Sequence, residues 1–292
     1  MEISVLFVFL FISCAATARQ VPQNLRNFYN TLTTCSNKLA SGFWSTDGGS
    51  PSFSYCGDHL ADDGIVYIKA NMDIDCDGAQ GGSADDGRCG ASTDTQSITA
   101  FQQTVRQYGK GIRDLNANVH PYVVFGNTGS KPGWESFDPQ QYGIEPLSVM
   151  AVVCGDQLVY GVWGDTNGDD GDHPVVGEAS ISLATACFGK TVNGNSGHDQ
   201  NDVLYIAFAG SKAVPGADGA NWAARNCADF QKSIESLGDS LVAQIEGGDG
   251  SGGDGEVDGN CEWPGHCAGA ACSSNDDCSD VLACVNRVCA MG

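Results

Sequence analysis

The chain is short of positive charge. Fourteen lysines and arginines stand against 36 aspartates and glutamates, a formal net charge of −22. Neutralising phosphates takes a basic face, so nucleic acid is excluded as a partner. After the first eighteen residues no apolar run approaches the roughly 20 residues that a spanning helix needs, so no membrane partner is expected. The five histidines (His59, His120, His173, His198, His266) show neither His-x-His nor His-Glu-x-x-His spacing, and no Cys-x-x-Cys pair occurs. Zinc thus lacks its usual ligand patterns. No Gly-x-Ser-x-Gly turn is present, and Ser196, His198 and Asp199 are too close in sequence for a nucleophilic triad. Asn-x-Ser/Thr acceptors are missing as well, which removes N-glycosylation. The expectation is a protein with no metal and no cofactor.

What is present begins with an apolar run from Ile3 to Ile12 that leads into Ala16-Thr17-Ala18, a small-x-small cleavage pattern. Residues 1–18 are expected to be a secretory signal, with the mature chain starting at Arg19 and acting outside the cell. Cys14 would leave with the signal; thirteen of the 14 cysteines remain. In a secreted protein most of these should be in disulfides.

Three pieces follow. Residues 19–246 carry mixed strand and helix patterns and are long enough to bury one sizeable core. Residues 247–260, almost entirely Gly, Asp, Ser and Glu, have nothing to bury and form an expected linker. Residues 261–292 hold six cysteines, Cys261, Cys267, Cys272, Cys278, Cys284 and Cys289. So short a module needs three disulfides in place of a core, and sequence leaves their 15 pairings open.

In the main piece, Leu25 to Leu39 suggests a helix, and Ala223 to Ile245 is the clearest one, with Phe230, Ile234, Leu237, Leu241 and Ile245 on one face. Ile65–Ile74, Tyr122–Phe125, Val149–Val153, Leu158–Trp163 and Leu204–Phe208 have strand patterns, and Gly155-Asp-Gln157 joins two of them as a hairpin would. The fold class expected is mainly β (α+β): a largely antiparallel barrel with peripheral helices, plus the small disulfide-rich module. Seven cysteines fall in this piece, an odd count. Cys154, in an apolar strand, is the expected free thiol unless one cysteine pairs with the tail.

The chemistry concentrates in residues 158–189. The strand Leu158–Trp163 gives way to Asp165, a Gly/Asn/Asp-rich loop follows, and Glu178 opens an apolar segment that can be helical. Cleaving a glycosidic bond needs such a pair of carboxyls, one protonated to donate and one ionised to attack or to activate water. Tyr160, Trp163, His173, Asp169 and Asp170 lie close by in sequence and are candidate substrate contacts. Trp134, with Phe137 and Tyr142, sits in a Gly/Pro-rich stretch where aromatics stack on sugars or, more often, pack in a core. Asp73-Ile-Asp75-Cys-Asp77-Gly78 imitates a calcium loop, but position twelve is Ala84 rather than a bidentate Glu, so the EF-hand reading fails. A looser calcium site, a loop tied by Cys76 and Cys89, and a wall that recognises amines stay open for that stretch.

The run Gly161-Val-Trp-Gly-Asp165-Thr-Asn-Gly through Gly177-Glu178-Ala-Ser resembles the fungal chitosanases of glycoside hydrolase family 75. So do Tyr55-Cys-Gly-Asp-His-Leu60, Asn71-Met-Asp-Ile-Asp-Cys-Asp-Gly78 and Asp85-Asp-Gly-Arg-Cys-Gly90. The likeness covers roughly residues 25–245. It implies endo-hydrolysis of chitosan, the cationic β-1,4-glucosamine polymer, by inversion, with Asp165 and Glu178 as the two essential acids. The same frame is similar to double-psi β-barrel hydrolases. On this reading Asp73, Asp75, Asp77, Asp85 and Asp86 would bind amines, Glu178 would be the general acid and Asp165 the general base, with Asp169 and Asp170 in reserve. A helix starting at Glu178 would favour its ionised form, so burial or neighbouring negative charge has to outweigh that, or the roles are exchanged. Two alternatives stand beside this: a wall-binding protein on a hydrolase-like barrel, and a hydrolase of cellulose or peptidoglycan. The enzyme is expected to be a monomer, and the tail to bind wall carbohydrate or to serve as a spacer.

Overall fold

The computed structural model describes residues 19–45, 49–93, 95–169, 171–245, 272, 282–285 and 288–291. The expected signal and linker, and most of the tail module, lie outside these residues. Two compact units divide at Gly248 and Asp249.

The first unit runs β1 (Arg19–Gln20), α1 (Gln23–Thr31), β2 (Lys38–Phe43), β3 (Phe53–Cys56), α2 (Leu60–Asp63), β4 (Ile65–Asp75), α3 (Gln102–Gln107), β5 (Tyr122–Asn127), β6 (Val149–Cys154), β7 (Gln157–Asn167), β8 (Glu178–Ser180), α4 (Ile181–Phe188), β9 (His198–Phe208) and α5 (Cys227–Val242). The sheet closes on itself in the order β4-β8-β5-β7-β6-β9 and back to β4, a six-stranded barrel. Strands β1, β2 and β3 extend it outside the ring. The barrel with few helices agrees with the expected class. Two of its pairings, β4–β8 and β5–β7, are parallel, and the other four are antiparallel.

Strand β6 is buried along its whole length, because apolar residues cover both of its faces. Successive side chains alternate between two apolar clusters. Val149, Ala151 and Val153 join the outer cluster, while Met150, Val152 and Cys154 face the barrel interior. The same alternation sends Val123, Phe125 and Trp163 inward, and Tyr122, Val124 and Val162 outward. Helix α5 covers the outer layer with Phe230, Ile234 and Leu241, and its Asn226 cap accepts the Asp229 N–H at 2.9 Å.

Three expectations change. The first helix stops at Thr31, because Lys38–Phe43 pairs with β3 and Cys35 is bonded to Cys56, so tertiary pairing overrides local pattern. Glu178 does not open a helix: it starts the short strand β8, and α4 begins at Ile181 behind the Ser180 cap. Cys154 is not free. It ends β6 within 5.8 Å (Cα to Cα) of Cys187 on α4 and is bonded to it, while Cys227 is also disulfide-bonded. Cys76 and Cys89 pair as one of the open readings had it.

In the second unit, β10 (Leu282–Val285) and β11 (Val288–Met291) form an antiparallel hairpin, and Cys272 is bonded to Cys284.

Candidate active site

Asp165 and Glu178 stand on β7 and β8, and β5 runs between them. Val124 of β5 is the register partner of both, across a parallel ladder to Asp165 and an antiparallel one to Glu178. The acids are therefore level and two strands apart, roughly 9–10 Å between backbones at the usual strand spacing. On the other side of Glu178, β4 places Asp73 as its direct partner.

A glycine precedes each acid, and each has a physical reason. Trp163 pairs with Val123 and Asp165 with Val124, so Gly164 is an extra residue, a β-bulge. Without it Asp165 would share the inward face of Trp163; the bulge turns it outward. A Cβ on Gly164 would lie 2.5 Å from the Cβ of Tyr122 and 2.7 Å from Leu115 Cδ1. Gly177 has φ +88°, and a Cβ there would lie 2.4 Å from Asn71 Oδ1.

The outward face opens into a cleft of about 480 Å³ whose walls include Asp73, Asp75, Asp77, Asp165 and Glu178 and, among the described residues, no lysine or arginine. Asp75, Asp77 and Asp165 bring carboxylate oxygens within 4.8 Å of one another, close enough to share one cation.

Asp165 is 7% exposed. Its Oδ1 accepts the N–H groups of Ala100 at 2.9 Å and Thr166 at 2.8 Å. Burial raises its carboxyl to about 7; those two N–H groups oppose the shift, and the charges of Asp77 and Asp114 add to it. Glu178 is driven well above the ordinary carboxylate range, first by burial and then by Asp75, Asp73, Asp165 and Asp77. Because α4 starts three residues later, no helix N-terminus at Glu178 counters this.

Asp114 escaped the sequence reading, since nothing in its loop marks it. It is buried and accepts from Thr99 N at 2.9 Å, Thr99 Oγ1 at 2.6 Å, Gln102 Nε2 at 3.0 Å and Leu115 N at 2.8 Å. These bonds fix the turn whose Ala100 N–H reaches Asp165.

Trp134 and His173 also line the cleft. Trp163 does not: it is 1% exposed, packs edge-on to Phe101 inside the barrel and donates to the Asp165 carbonyl at 2.9 Å. Tyr160 is likewise withdrawn as a sugar contact, because it is buried in the outer layer under α5 and donates to Asp239 at 2.8 Å. Phe137 is buried and stacks on Tyr55. Asp169 is exposed and pins two loops together by accepting from Ser130 and Lys131, apart from the cleft lining. Asp170 lies outside the described residues. Asp85 and Asp86 are exposed and do not line the cleft; Asp85 caps Gly87, and Asp86 is paired with Arg88 and Lys190.

Acid–base work on a glycosidic bond asks for two carboxyls of which one keeps its proton where the other ionises. A level pair of this kind in an open acidic cleft defines the class as glycoside hydrolase. Residues 72–244 match the family model described as fungal chitosanase of glycosyl hydrolase group 75. The chain is 48% identical over 239 residues to an endo-chitosanase of Aspergillus fumigatus, covering 79% of this chain and 94% of that one. It is 47% identical over 243 residues to endo-chitosanase B of Aspergillus oryzae, covering 79% and 94%. Endo-chitosanase C of Aspergillus oryzae is 37% identical over 238 residues, which is 76% of this chain and 55% of the relative. This chain belongs to the fungal chitosanase family of glycosyl hydrolase group 75. Among the described residues, no helix is long and apolar enough to cross a membrane.

Proposed function

We propose that the protein is a secreted, monomeric endo-chitosanase that inverts configuration at the cleaved bond, with Glu178 as general acid and Asp165 as general base. The observation that carries this is the level pair flanking Val124, with Glu178 held above the ordinary carboxylate range first by burial and then by the charges of Asp75, Asp73, Asp165 and Asp77, which favour its protonated form. Glu178 gives its proton to the glycosidic oxygen as the bond breaks. Asp165 takes a proton from a water that attacks the anomeric carbon from the opposite face. Inversion needs carboxyls about 6.5–9.5 Å apart to leave room for that water, which suits two strand spacings better than one.

Asp73, Asp75 and Asp77 serve the ammonium groups of the polymer. Their charges attract it, and its arrival offsets the repulsion that, after burial, raises the catalytic acids. The acid limb of kcat/KM should therefore report a free-enzyme group near 7, and that of kcat should lie at lower pH. Residues 247–260 are proposed as a linker, and 261–292 as an appended module that binds wall carbohydrate.

Proton NMR of freshly cut chitosan tests the mechanism. The α-anomer should appear first, and an initial β-anomer would overturn inversion. Viscosity should fall before short sugars accumulate, and EDTA should leave the rate unchanged. Carboxymethyl cellulose, which has no amines, should be a poor substrate.

A further inference from the structure

Asp165 is held by more than its own strand. Among the described residues, both N–H groups that meet its carboxyl reach the same oxygen, Oδ1. One comes from Thr166, the next residue, and the other from Ala100 on the cleft wall, 65 residues away in sequence. Asp114 grips the residue before Ala100 with both of its oxygens: Oδ2 accepts the Thr99 N–H at 2.9 Å and Oδ1 the Thr99 hydroxyl at 2.6 Å. Thr99 is 3% exposed and Asp114 2%, so water hardly competes for these bonds. On one side of this turn Gln96 donates its N–H to Asp77 Oδ1 at 2.5 Å. On the other, Phe101 packs edge-on against Trp163, whose indole donates to the Asp165 carbonyl.

We infer that Asp114 is a positioning residue for the base: by gripping Thr99 it keeps the Ala100 N–H on Oδ1 of Asp165, which leaves Oδ2 to take the proton from water. The inference deepens the chitosanase reading and rests on Asp165 as base. An oxygen that already accepts two N–H bonds has its lone pairs engaged, while the other oxygen keeps its own. Holding the carboxyl by one oxygen also stops it from turning, so the second stays aimed at one place. Asp114 itself is buried and does not line the cleft, so it acts through Thr99. The other charged or titratable groups around Asp165 are Asp75 of β4, Asp77 just after it, Tyr122 of β5 and Glu178 of β8.

Thr99→Val keeps the shape of the side chain, removes the hydroxyl that Asp114 holds and leaves all of these charges in place. The Ala100 N–H opposes the burial that raises Asp165 to about 7. Loosening it should move the carboxyl up by about one pH unit, the low end for a hydrogen bond to a charged group. Carbon-13 NMR of the Asp165 carboxyl in the free protein reads that shift. The acid limb of kcat/KM on soluble chitosan should follow it, with kcat/KM well below the limb falling about tenfold. Thr99→Ser, which keeps the hydroxyl, should restore both. Asp114→Asn should move the titration the same way but less, because a charge that raises Asp165 goes with the grip. Circular dichroism verifies each fold. If Thr99→Val melts earlier but leaves titration and acid limb in place, Asp114 only braces the wall and the inference is overturned. A downward shift in Asp114→Asn would overturn it too, since charge rather than grip would then govern the base. A moved titration with an unmoved acid limb would instead overturn Asp165 as the base, the reading beneath the inference.

Discussion

Asp73, Asp75 and Asp77 share their chemistry with Asp85 and Asp86, a short way along the chain, but not their surroundings. The first three line a cleft with Asp165 and Glu178, where like charges crowd and the described lining holds no lysine or arginine. Asp86 sits against Arg88 at 2.9 Å; burial alone would raise its carboxyl, but Arg88 and Lys190 hold it below its usual value. Acidity is therefore not a function in itself. Crowded like charges store affinity for a cation, and a carboxylate neutralised by a neighbouring base only shapes a loop.

The largest effect should separate these groups outright. Asp165→Asn and Glu178→Gln should each lose at least ~100-fold in rate while remaining folded. Asp85→Asn and Asp86→Asn should stay within about twofold, as exposed pairs contribute little. Reducing-sugar release from soluble chitosan measures both, and a dead Asp86→Asn would erase the distinction.

Gly164→Ala tests whether the bulge sets the position of the base. The added methyl collides with Tyr122 and Leu115, so a loss of about 1–3 kcal/mol in stability is expected, together with a fall in kcat. A variant with unchanged melting temperature and rate would show that the barrel absorbs the methyl without moving Asp165.

The buried acids should also cost stability, with a definite pH dependence. Unfolded, Asp165 ionises near its usual 3.8; folded, it keeps its proton up to about 7. The folded state binds more protons across that window, so stability falls as pH rises through it and levels off above. Asp165→Asn cannot ionise. Its melting temperature should match the parent below pH 4 and exceed it near pH 7, by on the order of 2–4 kcal/mol in stability. Equal melting curves at both pH values would show that the Asp165 carboxyl is not strained.

The smallest effect concerns recognition. Asp73→Asn should raise KM for chitosan a few-fold at low salt, and the difference should shrink as salt approaches ~0.15 M, where the Debye length is about 8 Å. Asp86→Asn should show no such salt dependence. If Asp73→Asn lowers stability instead, independently of salt, then this residue holds the fold rather than the substrate.

Much of this was legible in the chain. The apolar patterns of Ile65–Ile74, Val149–Val153 and Leu158–Trp163 became β4, β6 and β7, because a strand buried on both faces needs apolar residues at nearly every position. The Gly-Asp and Gly-Glu frames were visible in the chain, but the need for each glycine is tertiary: a side chain would collide with Tyr122 and Leu115 at position 164 and with Asn71 at position 177. What the chain alone did not decide was which groups meet across the barrel. Tyr160 and Trp163 adjoin Asp165 in sequence, yet strand alternation and the bulge at Gly164 turn Trp163 into the interior and leave Tyr160 beneath α5. Asp73 meets Glu178 only through the β4–β8 pairing, and Asp114 nears Asp165 only through the turn at Thr99 and Ala100 that it holds. Residue types fix which side chains can do acid–base chemistry; their placement and protonation are set by packing, burial and charges distant in sequence, and only the tertiary structure supplies those.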